Sequence, residues 1–399
     1  MKEKKIIVGV TGGIAAYKTA ELVRLLVGEG ASVKVAMTAH ATNFVTPLTF
    51  EALSGNRVVW DMWDPKTAPM DHITWGQDAD LIIVAPATAN FLAHMAHGMG
   101  SDFLSTLVLA ATAKILICPS MNVHMLSNPA VQENIRILRE RGYVVMDPTE
   151  GELACGTKGS GRLPEPVDIL DQSKQLLSDG DLKGLKILIT AGPTMEAIDP
   201  VRYITNRSSG KMGYALAAAA SLRGADVTLI SGPTHLRPPT NVRLTNVKTT
   251  DEMKQAVFAR RQETDVIIKA AAVLDYKPHK AAGHKIKKED GNQTLELVRT
   301  PDILEELGRT KENNHCLLVG FAAETEDLIS NASEKLARKN LDMIVANDVS
   351  RDDAGFETDT NLVRILYRNG EREDLPLMTK TEVANHILGR IKRLWKNVT

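Results

Sequence analysis

Three side chains in the first half of the sequence could carry acid–base or covalent chemistry: His72 in DHITW, Asn122 closing PSMN (Pro119 to Asn122), and Cys155 in GELACG (Gly151 to Gly156). An imidazole titrates near neutrality and can take or give a proton. A carboxamide can bind a carboxylate without adding charge, and a thiol with an ordinary pKa of ~8.5 can donate a proton at neutral pH. Each also has a plain reading, as a satisfied histidine, a turn asparagine and a small buried residue. The second half offers other chemistry. TNRSSGKMG (Thr205 to Gly213) gathers turn-formers ahead of a helix start, and Lys277, Lys280, Lys285, Lys287 and Lys288 concentrate positive charge in a chain of formal net charge -1. Such a cluster is either a solvated loop or a place where phosphate oxygens are neutralised.

These groups need elements that bring them to common edges. Short apolar runs recur at Ile6 to Val10, Val33 to Met37, Leu81 to Ala85 and Ile115 to Cys118, separated by helix-like segments. The alternation predicts an α/β domain with a parallel, doubly wound sheet, and uninterrupted apolar runs fit strands covered on both faces by crossover helices. Ligands of such sheets gather at the carboxyl ends of the strands. VTGGIAAYK (Val10 to Lys18) lies at such an end and opens a helix, where free N–H groups and the helix dipole can hold a phosphate. Tyr17 stands where a Walker A loop needs glycine before Lys18 and Thr19, and the loop is not GxGxxG. A structural turn and a phosphate-bearing ligand both stay open. Thr38, with Thr88, Ala89 and Asn90 in PATANF (Pro86 to Phe91), adds small and polar groups to the same edge, where helix capping is the plain alternative.

Around Gly180 the segment LLSDGDLKGLK is polar, and the pattern restarts at Lys186 to Thr190, so a boundary is expected at 180–188 with domains 1–185 and 186–399. Runs at Val227 to Ile230, Val266 to Lys269, Leu317 to Phe321 and Met343 to Ala346, with a helix-like Leu328 to Lys339, predict a second α/β domain without a convincing internal repeat. A length of 399 residues at 43% hydrophobic and 24% charged content allows two sizeable cores. The near-neutral charge gives no general attraction to nucleic acid or anionic lipid. No run approaches the ~18 apolar residues of a membrane span, and MKEKK before IIVGV reads as a first buried strand rather than a signal peptide. Cys118, Cys155 and Cys316 are far apart with no CxxC pair, which predicts a reduced, cytoplasmic protein with Cys118 and Cys316 in the core. No cluster has a recognised metal-ligand spacing.

VTGGIAAYK, PATANF, PSMN and GELACG, in this order and spacing, resemble the flavin-dependent cysteine decarboxylases, specifically phosphopantothenoylcysteine decarboxylase of coenzyme A synthesis, over essentially the whole first half. The resemblance implies a flavodoxin-like, doubly wound (Rossmann-like) domain. In it FMN contacts Gly12, Gly13, Ile14, Thr38, His40, Thr88, Ala89, Asn90 and Ser120, with His72, Asn122 and Cys155 at the substrate. It also implies oxidation of the substrate to a thioaldehyde that can absorb the electrons left by CO2. His72 would assist that oxidation, Asn122 would position the carboxylate, and Cys155 would protonate the enethiolate as hydride returns. Two positions depart from the family pattern: Ser120 stands where Ala is usual, and His97 precedes Gly98 where Asn is frequent. Both flank the motif core and should have modest effects.

ITAGPTMEAIDPVRYITNRSSGKMG (Ile189 to Gly213), KAAAVLDYKP (Lys269 to Pro278), HKIKK (His284 to Lys288), TPDI (Thr300 to Ile303) and VGFAAET (Val319 to Thr325) resemble phosphopantothenate-cysteine ligase, whose bacterial fusion to the decarboxylase matches the length and domain order here. Read on spacing alone, Gly210-Lys211 lacks the Ser or Thr of a P-loop and could be a helix cap with a surface lysine. The resemblance implies that CTP activates 4'-phosphopantothenate as an acyl-cytidylate, which the amine of cysteine then attacks, with Mg2+ and lysines neutralising phosphate charge. Carried over by position, Arg202 and Asn206 handle phosphopantothenate and the acyl intermediate, and Lys285 sits at the triphosphate. Ala270, Ala271, Asp275, Pro301, Asp302, Ile303, Leu304, Phe321, Lys335 and Lys339 complete the CTP site. CTP in place of ATP rests on the resemblance alone. So does a homo-oligomer, with decarboxylase trimers in a dodecamer and paired ligase domains; neither nucleic acid nor membrane is expected as a partner. The expected whole is a bifunctional enzyme yielding 4'-phosphopantetheine. Two alternatives stay open. A flavin-binding regulatory module is opposed by the joint presence of His72, Asn122 and Cys155, and a flavin-linked decarboxylase or transferase of another thiol or prenyl substrate is opposed by the ligase-like half.

Overall fold

The structure is a computed structural model that describes residues 1–152, 158–287, 294–311, 316–324, 328–348 and 358–396. The chain divides into two compact units, Met1–Ser178 and Asp179–Thr399.

In the first unit β1 (Lys5–Val10), β2 (Ser32–Met37), β3 (Val58–Val59), β4 (Leu81–Ala87), β5 (Lys114–Pro119) and β6 (Val144–Val145) form one sheet in the order β3-β2-β1-β4-β5-β6, every pairing parallel. Side chains alternate between faces along a strand. Ile6, Val8 and Val10 accordingly enter one core with Leu22, Leu26 and Leu81, while Ile7 enters the opposite core with Ile82, Leu92 and Leu104. Two covered faces explain why the apolar runs are uninterrupted. The winding reverses between β1 and β4, and at that point the crossover helices leave on opposite faces and a crevice opens at the strand ends. The helix Ala89–His97 starts beside this crevice because Thr88 caps it, its Oγ1 accepting from the Phe91 N–H at 3.4 Å, and it stops at Gly98 in a left-handed turn with φ 68°. A hairpin of β7 (Thr149–Glu152) and β8 (Lys158–Arg162) flanks the segment that holds Cys155, which lies outside the described residues.

The second unit repeats the winding strand for strand. β9 (Lys186–Ala191), a hairpin of β10 (Met195–Ala197) and β11 (Tyr203–Thr205), then β12 (Asp226–Ser231), β13 (Val242–Asn246) and β14 (Val266–Lys269) come first in the chain. They are followed by a second hairpin of β15 (Tyr276–Pro278) and β16 (Leu297–Arg299), by β17 (Leu317–Glu324) and β18 (Met343–Asp348), and by β19 (Thr360–Asn361), β20 (Val363–Tyr367), β21 (Arg372–Asp374) and β22 (Met378–Thr379). The sheet runs β13-β12-β9-β14-β17-β18-β20-β21, parallel through β18 and antiparallel after it. Its switch point falls between β9 and β14. The predicted strands all occur, and the helix predicted over Leu328 to Lys339 spans Leu328–Arg338. Cys118 and Cys316 are buried free thiols whose pKa values burial pushes up, as expected of core residues. No helix among the described residues is long and apolar enough to cross a membrane.

Gly232, just past β12, touches the neighbouring loop so closely that a Cβ there would lie 1.8 Å from the Pro193 carbonyl oxygen. Gly389 sits within the helix Lys380–Lys396, where a Cβ would meet nothing within 4 Å. Gly389→Ala should therefore raise stability by about 0.5–1 kcal/mol, whereas Gly232→Ala should lower it by about 3 kcal/mol through overpacking against backbone. Denaturant unfolding of the full chain reads both; equal effects would mean that the loop crossing yields to a side chain.

Candidate active sites

A cavity of about 620 Å³ opens at the β1/β4 switch point. Gly12, Gly13 and Ile14 line it from the β1 loop, Thr88 and Ala89 from the start of the helix after β4, and Ser120 and Asn122 from the segment after β5. Thr11 holds two of these loops together: its Oγ1 donates to the Pro86 carbonyl at 2.7 Å and accepts from the Thr88 N–H at 3.1 Å. A Cβ on Gly12 would sit 2.5 Å from Cβ of His40, so glycine is needed for the β1 loop to pass. The Gly161 carbonyl accepts from the Met121 N–H at 3.0 Å and from Ser120 Oγ at 3.4 Å, joining the β5 end to the hairpin. Asn122 Oδ1 accepts from the His124 N–H at 2.8 Å, which orients the amide with its NH2 as the donor end.

Six of the nine residues expected at the flavin line this cavity: Gly12, Gly13, Ile14, Thr88, Ala89 and Ser120. Thr38, His40 and Asn90 do not. Thr38 keeps a buried hydroxyl oxygen without a hydrogen-bond partner among the described residues, His40 abuts Gly12, and Asn90 is exposed on the first helical turn. Asn122 lines the cavity, while His72 is half-buried on the helix Asp71–Asp78 and is not among its lining residues. The sequence reading did not single out Met121, Met125 or Leu163, which give the cavity apolar surface, nor Arg162.

The second unit has a pocket of about 330 Å³ at the β9/β14 switch point. Of the residues that the resemblance assigns to the ligase site, Asn206, Ala270, Ala271, Asp275, Phe321 and Lys335 line it. Asn206 Nδ2 donates to the carbonyls of Ala272 at 3.3 Å and Val273 at 3.1 Å, which fixes the amide on the β14 loop. Arg202, Lys285, Pro301, Asp302, Ile303, Leu304 and Lys339 are not among the lining residues. Arg202 instead grips the buried Asp199 through Nε at 3.0 Å and Nη2 at 2.6 Å, and Nη2 also donates to the Ile286 carbonyl at 3.1 Å. The Arg202 guanidinium, helped by the N–H groups of Val201, Ile286 and Arg202, holds the Asp199 carboxyl far below the usual carboxylate range. This clip anchors the segment that carries the exposed Lys285.

Asp302 caps the helix Ile303–Arg309 through the Glu305 N–H at 3.0 Å and pairs with Lys339 at 2.7 Å. Beside that pair lies Lys269, a buried lysine that sequence reading missed; its Nζ is 3.8 Å from Met253 Sδ. Loss of water pushes its pKa down to about 7, with the Asp302 carboxylate opposing and Lys339 reinforcing the shift. Lys211, Asn347, Asn361 and Lys380 are among the lining residues that had no expected role. Lys211 lies inside a quoted motif but could be read there as a surface lysine, and the other three have no motif around them. Burial, with Lys211 nearby, pushes Lys380 down to about 8.

Residues 1–178 match the Flavoprotein family, and residues 182–394 match the family described as DNA/pantothenate metabolism flavoprotein C-terminal domain. The coenzyme A biosynthesis bifunctional protein CoaBC of Bacillus subtilis is 48% identical over 401 residues, covering 99% of this chain and 98% of that one. Its Escherichia coli counterpart is 46% identical over 393 residues, covering 97% and 96%. The chain belongs to this family of bifunctional coenzyme A biosynthesis proteins. Among solved structures, the C-terminal domain of a CoaBC protein is similar at 45% identity and TM-score 0.48, covering 55% of this chain and all (100%) of that one. The FMN-dependent cysteine decarboxylase SpaF is similar at 36% identity and TM-score 0.38, covering 42% and 93%. The first cavity suits the flavin that this family's name announces. Its volume is that of a small-ligand site, and it has a glycine loop running into a helix N-terminus.

The Lys269 geometry has a thermodynamic consequence. Folding lowers this amine from an unfolded value of ~10.4 to about 7, so the unfolded chain binds more protons between those values and stability rises with pH across that window. Lys269→Met should flatten this rise and leave the protein more stable than wild type at pH 7. Denaturant unfolding of both proteins from pH 6 to 10 checks it; parallel curves would mean that the amine is charged and solvated.

Proposed function

We propose that the chain makes 4'-phosphopantetheine in two steps, the second unit joining 4'-phosphopantothenate to cysteine and the first removing the carboxyl group of the product, with the functional boundary at 1–185 and 186–399. The observation that carries this reading is the pairing in one chain of two switch-point cavities, each lined by several of the residues that the resemblance implies there. Near full-length identity to CoaBC proteins supports it.

In the first unit the donor end of Asn122 binds the substrate carboxylate and adds no charge. The apolar surface of Met121, Met125 and Leu163 disfavours a carboxylate relative to neutral CO2, so desolvation and reaction run in the same direction. FMN, when bound, supplies a reversible two-electron oxidation that makes the thiol-bearing carbon an electron sink. His72 assists that oxidation, and Cys155 gives the final proton. In the second unit the fixed amide of Asn206 orients the carboxylate that is activated, with Arg202 holding the surrounding loop. Lys335, with Lys285 and Lys339, offsets phosphate charge as pyrophosphate leaves. CTP as the nucleotide is carried by the resemblance.

Mg2+ is the metal that fits. Among the described residues no group of three His, Cys, Asp or Glu could cage an ion, and Mg2+ at phosphates keeps most of its waters and takes one or two carboxylates. Asp275, which lines the pocket, is a suitable oxygen donor. A homo-oligomer is carried by the resemblance. A cytoplasmic setting is supported by the two buried free thiols.

Two variants separate the halves. Cys155→Ser should reduce its flavin on adding 4'-phosphopantothenoylcysteine and release CO2, yet form less than about a hundredth of the product, the scale of a lost general acid. Asn206→Asp should lose amide formation by a similar factor while still decarboxylating supplied 4'-phosphopantothenoylcysteine. Unimpaired turnover by Cys155→Ser, or loss of both activities in Asn206→Asp with an unchanged melting temperature, would contradict the assignment.

A further inference from the structure

His72 sits on a helix that its own sequence does little to hold. Asp71–Asp78 is eight residues long, below the ~12–15 at which an isolated helix becomes stable in water. No side chain caps its start; Asp71 turns back instead and accepts from the Ala68 N–H at 3.0 Å. Nothing local therefore fixes where the His72 imidazole points.

A neighbouring helix does. Residues three and four apart share a helix face, so His72 stands one turn before Trp75 and Gly76. Trp75 is 7% exposed, and its ring meets Phe103 edge to face, with centroids 5.5 Å apart and planes at 85°, a favoured aromatic geometry. Lys34 Nζ, from β2, stands over the Trp75 ring, 4.6 Å from its centroid. Gly76 lets the backbones touch: a Cβ there would lie 2.9 Å from the Leu107 carbonyl oxygen, and the Gly76 carbonyl accepts from the Thr112 N–H at 3.3 Å. The helix that receives them, Phe103–Ala110, is firmly set. Asp102 Oδ1 accepts from the Ser105 N–H at 2.7 Å and Ser105 Oγ from the Asp102 N–H at 3.0 Å, a capping box, while Phe103, Leu104 and Leu107 are buried.

We propose that Trp75, seated on Phe103 and brought close by Gly76, is the positioning residue for His72 in the decarboxylase reaction. The proposal rests on the role given to His72 in the oxidation step and adds the residue on which that role depends. A general acid or base acts only within hydrogen-bond reach of its proton, and a misplacement of about 1 Å can cost about a hundredfold in rate.

Two measurements on the full chain test it, with His72→Asn, Trp75→Ala, Trp75→Phe and the double variant His72→Asn/Trp75→Ala. The first is the rate at which flavin bleaches when FMN-loaded protein is mixed anaerobically with 4'-phosphopantothenoylcysteine. His72→Asn should slow it about a hundredfold, the scale of a lost general acid or base, and Trp75→Ala about tenfold or more. The double variant should be no slower than His72→Asn, because a positioning residue has no effect once the group it positions is gone. Trp75→Phe should recover most of the rate. The second measurement is amide hydrogen exchange in the flavin-free protein: Asp71–Asp78 should exchange faster in Trp75→Ala, while Phe103–Ala110 stays as in wild type. If thermal unfolding shows that Trp75→Ala does not fold, Gly76→Ala, whose Cβ would press on the Leu107 carbonyl, takes its place with the same expectations. Losses that multiply in the double variant, or a wild-type rate in Trp75→Ala, would overturn the proposal. A wild-type rate in His72→Asn would remove His72 from the oxidation, and the proposal with it.

Discussion

In both units a buried threonine hydroxyl ties together the two loops between which the sheet reverses its winding. Thr11 follows β1 and bridges the Pro86 carbonyl and the Thr88 N–H. Thr194 follows β9; its Oγ1 accepts from the Leu274 N–H at 3.0 Å and its own N–H reaches the Ala272 carbonyl at 3.3 Å. Parallel strands with right-handed crossovers open a crevice at the reversal, but an open crevice positions nothing. The threonine holds the first-strand loop against the fourth-strand loop at hydrogen-bond distance, so that side chains separated by about 75 residues in the chain line one cavity. Gly12 and Gly232 permit a different approach, of the first-strand loop to the second-strand loop, since a Cβ at Gly12 would collide with His40 and one at Gly232 with the Pro193 carbonyl.

The two cavities differ in the character of their linings. The first is walled by Ile14, Met121, Met125 and Leu163 beside a glycine loop, surroundings in which a carboxylate gains by becoming neutral. The second has Lys211, Lys335 and Lys380 in its lining, cations of the kind that suit charge on phosphate oxygens. A formal net charge of -1 conceals this local excess. The basic surroundings also act on the lysines themselves: Lys380 is pushed down partly by Lys211, and the Asp302–Lys339 pair shapes the charge around buried Lys269.

What was legible in the sequence follows from what physics writes locally. Ile6 to Val10 and Leu81 to Ala85 announce strands because both their faces are covered. Their neighbours in the sheet are not written in any run of residues, and the matching order of the two units emerged only in three dimensions. The hairpins of β10–β11 and β15–β16 are three-residue, half-exposed strands with no period to detect. Resemblance placed Asn206 and Asp275 at a pocket that they do line, but it could not show that Asp302 is a helix cap paired to Lys339 or that Arg202 is spent on Asp199. Asn361 and Lys380 were invisible because nothing near them in sequence is unusual. They reach the pocket through tertiary packing.

One chain is to carry both reactions in series. Mass spectrometry of products formed by the purified full-length protein from 4'-phosphopantothenate, cysteine, CTP and Mg2+, with FMN supplied, reads this out. 4'-Phosphopantetheine is expected, with 4'-phosphopantothenoylcysteine appearing first and being consumed. A reaction that halts at 4'-phosphopantothenoylcysteine would contradict the decarboxylase assignment of the first unit, and the absence of any amide product would contradict the ligase assignment of the second.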